Sequence, residues 1–121
     1  MCFHIHPRHT RIKTAKKDIA CFKVLEKDEE TSRWYSPWQD TEYRNNRLKK
    51  AKIDEPSWSD KIHQGLHSFS TKSEADFTTS NGFNREVFEA IIPEGSQYYY
   101  NPDEEEYVSN QLMVIKRIKN K

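Results

Sequence analysis

Two cysteines, Cys2 and Cys21, are too few for a disulfide framework, so this fold must be held by its core. Only three glycines and five prolines occur, which excludes a linker or a low-complexity chain. No apolar run approaches the ~18 residues of a membrane-spanning helix, and no apolar stretch follows the N-terminal charges as it would in a secretory leader. Neither sign of charge is in excess: 20 basic residues meet 19 acidic ones, for a net charge of +1. That balance provides no global attraction to nucleic acid or to a membrane surface, and neither is an expected partner. A nucleophile elbow (G-x-S-x-G), a phosphate-binding P-loop and a G-x-G-x-x-G turn are also absent, which removes several enzyme classes. Taken together, these absences describe a cytoplasmic chain kept reduced.

What the chain does have is aromatic and charged. Aromatics are 12 % of the 121 residues and charged residues 32 %. That length suits one domain with one modest core, and aromatic rings can fill it where aliphatics are few. Charge is local rather than global. Residues 1–17 carry lysines, arginines and three histidines with no acid, which reads as a basic N-terminal arm with the freedom of a chain end. Residues 18–121 then form the domain. Arg44 to Lys52 is also basic, while acids gather at Glu26–Glu30 and Asp103–Glu106.

The hydrophobic pattern predicts mostly strand. Asp18–Glu26, Gly65–Phe69, Glu86–Ile92, Gln97–Tyr100 and one long segment over Tyr107–Ile118 alternate or run apolar. Arg33–Trp38 suits a short strand that Pro37 confines to an edge or end. Asp40–Ser59 reads as loop with one helical turn at most. Thr71-x-x-Glu74 is a capping box and predicts a short helix, ended at Asn81-Gly82. The expected fold class is therefore α+β: a single domain, mainly antiparallel β-sheet with one or two short helices. An unpaired edge near YVSNQLMVI leaves room for a homodimer by strand addition.

Several side chains could carry chemistry. Cys2, His4, His6 and His9 are metal-ligand types, but their spacing matches no standard zinc pattern, and no metal is expected. His67 lies among apolar neighbours before Ser68, Ser70 and Thr71, and suits a general base, a ligand donor or a satisfied sheet histidine. Glu104 and Glu106 lie two apart at the entry to a strand and so share a face. Such a pair can hold a ribose hydroxyl and stabilise an oxocarbenium-like centre, or be a solvated acidic loop. Tyr98, Tyr99 and Tyr100 offer rings for stacking on a base, although alternation turns at least one of them into the core.

The order of these motifs resembles ADP-ribosyltransferase-type folds. Cys21-Phe22-Lys23-Val24 stands at the early strand, where that family has Arg or His. Ser68-Phe69-Ser70-Thr71 resembles its Ser-Thr-Ser region, and Glu104-Glu105-Glu106 its Glu-x-Glu. The resemblance implies NAD as cosubstrate, with Lys23 holding the dinucleotide, Ser70 supporting the pocket, and Glu106 catalytic with Glu104 beside it. A second resemblance covers most of the chain. AKKDIACFKVLE, YSPWQ, GLHSFST, IIPEGSQYYYN and EYVSNQLMVI together look like a group of uncharacterised small proteins of gut Bacteroidales and their phages. It implies a phage or mobile-element accessory protein and no established activity.

Three functions follow as expectations. The first is non-catalytic binding of a nucleotide-like small ligand, without a cofactor. Its site would join Trp34, Trp38, Tyr98 and Tyr100 to Lys23, Arg44, Arg47, His67 and Ser70. The second is a module that binds a host protein through Arg33, Trp34, Tyr35 and Trp38. The third is the NAD-using enzyme.

Overall fold

The computed structural model describes residues 3–36, 41–53, 61–62, 64–79 and 84–118. The segment with the most even apolar pattern becomes the central strand. In chain order the elements are β1 (Phe3–His4), β2 (Lys13–Thr14), β3 (Ile19–Lys27), β4 (Trp34–Tyr35), β5 (Glu42–Tyr43) and β6 (Arg47–Lys50). They continue with β7 (Lys61–Ile62), β8 (Leu66–Phe69), α1 (Lys72–Thr79), β9 (Arg85–Ile92), β10 (Gln97–Asn101), β11 (Glu106–Ser109) and β12 (Gln111–Arg117).

One antiparallel sheet holds nearly all of them, in the order β2-β10-β11-β8-β3-β9-β12-β6, with β4 and β5 attached beside β3. β1 and β7 form a separate two-stranded ladder. The domain is thus mainly antiparallel β with one short described helix, and the α+β expectation holds in its sheet more than in its helix.

Strand β3 buries both faces. Cys21 and Leu25 join Leu66, Phe88, Ala90, Ile92, Leu112 and Val114 in the main core. On the opposite face Val24 packs with Phe69, Val87 and Ala75 of α1. The helix starts where the capping box predicts: the Thr71 hydroxyl accepts the Glu74 amide at 3.4 Å.

Four expectations change. Arg47–Lys50 and Glu42–Tyr43 are strands, not loop; their polarity follows from exposure, β6 being an outer strand. The long C-terminal strand is two strands that turn a corner at Asn110, whose side-chain oxygen accepts the Gln97 amide and whose own amide donates to the Gln97 carbonyl. Consequently β11 and β12 are both interior, flanked on each side, and YVSNQLMVI offers no free edge. The sheet ends at β2 and β6 instead, both carrying lysine, which discourages self-pairing. The basic N-terminal segment packs on this sheet: Phe3 is 0 % exposed against Tyr99 and Val108.

Candidate functional site

The edge of β3 that faces β8 is only partly zipped. β8 pairs with it at Phe22, and β4 pairs further along at Glu26 and Lys27. Between them, from Lys23 to Leu25, this edge has no registered partner among the described residues, and this stretch is called the fork below. There the Lys23 ammonium, 3 % exposed, donates to the His67 carbonyl at 2.6 Å. It also lies over the Tyr43 ring, 5.2 Å from its centre. His67 Nδ1 faces Glu106 Oε2 at 3.4 Å, and Glu106 is 1 % exposed. His67 Nε2 and Glu106 Oε1 are buried with no hydrogen-bond partner among the described residues.

Burial decides the electrostatics here. It pulls the Lys23 ammonium down to about 8, against the opposing pull of Glu106 and Cys21. Burial pushes the Cys21 thiol up to about 11, with Ser68 and Lys23 opposing. Glu104, on the exposed turn beside the cluster, is raised by desolvation and then by the Glu106 carboxylate.

Lys23, His67 and Glu106 are therefore brought together, as a nearly closed interior cluster rather than an open pocket wall. Ser70 has another task. Its amide donates to the Glu105 carbonyl at 2.7 Å, its hydroxyl to the same oxygen at 3.2 Å, and that hydroxyl also meets the Tyr100 hydroxyl at 3.3 Å. Thr71 donates to Glu105 Oε2 at 2.7 Å. Together they hold the acidic turn, in which Glu105 adopts φ 51°, a left-handed conformation rare outside glycine. Part of the acidic run is thus a fastened structural turn.

The tyrosines divide as alternation requires. Tyr99 is buried, while Tyr98 and Tyr100 are half-buried on either side of Tyr107, at 5.8 and 4.7 Å between ring centres. Tyr98 alone of the predicted residues lines a cleft of ≈ 580 Å³, with Lys13, Thr14, Lys16, Lys17 and Ile19. Trp34 and Arg44 line a different cleft of ≈ 350 Å³ with Arg33, Glu42 and Tyr43. Arg47 lines a third beside it. Trp38 lies outside the described residues.

The predicted ligand-binding set is thereby dispersed over separate places. The lysines of the largest of these clefts were hidden in the segment read as an arm. Their signal was the basic cluster Lys13–Lys17 immediately before the first good strand. The cleft is well supported: Ala15 exchanges backbone bonds with Ser96 and Gly95 at 2.8 Å each, and Asp18 accepts the Glu94 amide at 2.9 Å. No family model matches the chain, and no curated protein or solved structure shows a significant match to it. Among the described residues no helix is long and apolar enough to cross a membrane, and no group of three or more His, Cys, Asp or Glu could hold a metal ion.

Proposed function

We propose that this chain is a small non-catalytic binding protein for a nucleotide-like ligand, serving a phage or mobile element. The supporting observation is the cleft of ≈ 580 Å³ in which three lysines surround Tyr98 and Ile19. Its size falls in the range of small-molecule sites, about 300–1,000 Å³. The ligand's ring lies against Tyr98 and Ile19, and its phosphates meet Lys13, Lys16 and Lys17. Neither a histidine nor a carboxylate is among the described residues that line this cleft, which suits retention of the ligand rather than its conversion. Calorimetric titration with NAD, ADP-ribose, ATP and cyclic nucleotides tests the reading. Tyr98→Ala should weaken binding by about 1–3 kcal/mol, the loss of one stacking platform. Lys16→Glu with Lys17→Glu should abolish it. Binding that survives both changes would remove this cleft as the site.

A second reading is an ADP-ribosyltransferase-like enzyme, favoured by the meeting of Lys23, His67 and Glu106 in the β3–β8 fork. In it Glu106 is catalytic, Glu104 assists, and Lys23 holds NAD once the fork opens. Its weakness is the 1 % exposure of Glu106. NAD turnover that disappears in Glu106→Gln would favour it over the first reading; inertness of the wild-type protein toward NAD would end it.

A further inference from the structure

The outer strand β6 and the troughs beside it form a surface that the proposed nucleotide cleft does not use. β6 pairs with β12 along one edge, and among the described residues no strand pairs with its other edge. Two adjoining clefts, of ≈ 280 and ≈ 350 Å³, share Glu42, Tyr43 and Arg44. Among the described residues that line them, Arg33, Arg44, Arg47 and Lys49 face a single carboxylate, Glu42. Glu42 is already engaged, by Arg44 at 3.0 Å and Arg33 at 3.8 Å. Among the described residues, positive charge is therefore in surplus beside an unpaired backbone edge. Leu48, in the middle of β6, is 41 % exposed, one of two large hydrophobics among the described residues left out in this way.

From this we infer that β6 docks an extended acidic segment of a partner protein, which adds as a further strand. Backbone groups of the β6 edge supply the ladder, Leu48 takes an apolar side chain, and Arg44, Arg47 and Lys49 take carboxylates. The same charges repel a second copy of β6, so the edge selects an acidic partner over itself. A single-stranded nucleic acid fits less well, because the rings needed for stacking are in use. Trp34 holds Phe88 at 5.0 Å between ring centres and Arg117 at 5.9 Å over its ring, while Tyr43 is buried.

Fluorescence anisotropy tests this with a labelled short peptide alternating glutamate and valine. Three comparisons accompany it: the same peptide with lysine for glutamate, the acidic peptide N-methylated at alternate residues, and oligo-dT. The acidic peptide should bind saturably, and the lysine and N-methylated peptides should not. Arg44→Glu with Arg47→Glu should weaken binding about tenfold or more, as loss of a charge-complementary contact does. Both arginines are exposed, so urea melting should remain as in wild type. Equal binding of the N-methylated peptide would overturn strand addition. Indifference to the double charge reversal, preference for oligo-dT, or no binding of the acidic peptide would overturn the assignment.

Discussion

Lys23 and Cys21 together shape the fold's response to pH between about 8 and 10. Its ammonium falls from 10.5 to about 8 on folding, because burial penalises the charge more than its neighbours compensate. Between those values the unfolded chain holds a proton that the folded chain has released, so stability rises with pH across this window. Cys21 acts in the opposite sense. Its thiol rises from 9.0 to about 11, so the stability it contributes is complete below pH 9.0 and is lost as pH climbs through 11. Urea melts should therefore show a gain of about 1 kcal/mol from pH 8 to 9, then a plateau where the two effects oppose. In Cys21→Ser the rise should continue above pH 9. A flat wild-type profile over pH 7.5–9 would contradict the buried ammonium. Thr71 is the second residue with a large expected effect. It caps α1 and donates to the Glu105 carboxylate. Thr71→Ala should cost about 1–2 kcal/mol, measured by the same melts, and Thr71→Ser should restore most of it.

Among the elements, the N-terminal segment is docked more firmly than its charge pattern suggests. Its charges look like those of a solvated arm, yet Phe3 is fully buried and Asn101 donates to the His4 carbonyl at 2.7 Å. One phenylalanine and a few isoleucines among basic residues carry too weak a period to reveal this docking. Phe3→Ala should cost about 3–5 kcal/mol, the usual loss for a buried ring; a free arm would lose nothing. The central strands were legible, because β3, β9 and β12 have apolar residues at alternate or continuous positions. The corner at Asn110 was not, since YVSNQLMVI runs apolar on both sides of it and only tertiary pairing separates β11 from β12. β6 was missed for a related reason: an outer strand without a buried face looks like loop. Gly65, entering β8, explains a further constraint. Its φ is 137°, and a Cβ there would stand 2.4 Å from Val108 Cγ2. Gly65→Ala should therefore be markedly destabilising, while Gly95→Ala, with open space around it, should carry only the strain of its φ of 88°. Chemical melts of the pair would show the contrast.

Across the whole molecule, the candidate residues sort by burial into three regions. The fork of β3 and β8 collects Lys23, His67 and Glu106; the lysine cleft takes Tyr98; the β4–β6 side takes Trp34, Arg44 and Arg47. Residue types pointed to these positions, because a buried lysine, a stacking tyrosine and an exposed arginine each carry recognisable chemistry. Their grouping was not legible, since it depends on which strands neighbour one another: β2 beside β10 brings Lys13 to Tyr98, across most of the chain. On the proposed function, this juxtaposition binds a nucleotide-like ligand. Thermal melting against NAD, ADP-ribose, ATP and cyclic mono- and dinucleotides tests it most directly, in wild type, Tyr98→Ala and Lys16→Glu with Lys17→Glu. A ligand present at about a hundredfold its Kd adds about 2.7 kcal/mol, which moves the midpoint of a domain this size by several degrees. At least one nucleotide should produce such a shift, diminished in Tyr98→Ala and absent in the double charge reversal. No shift with any of them, or one that persists in both variants, would contradict it.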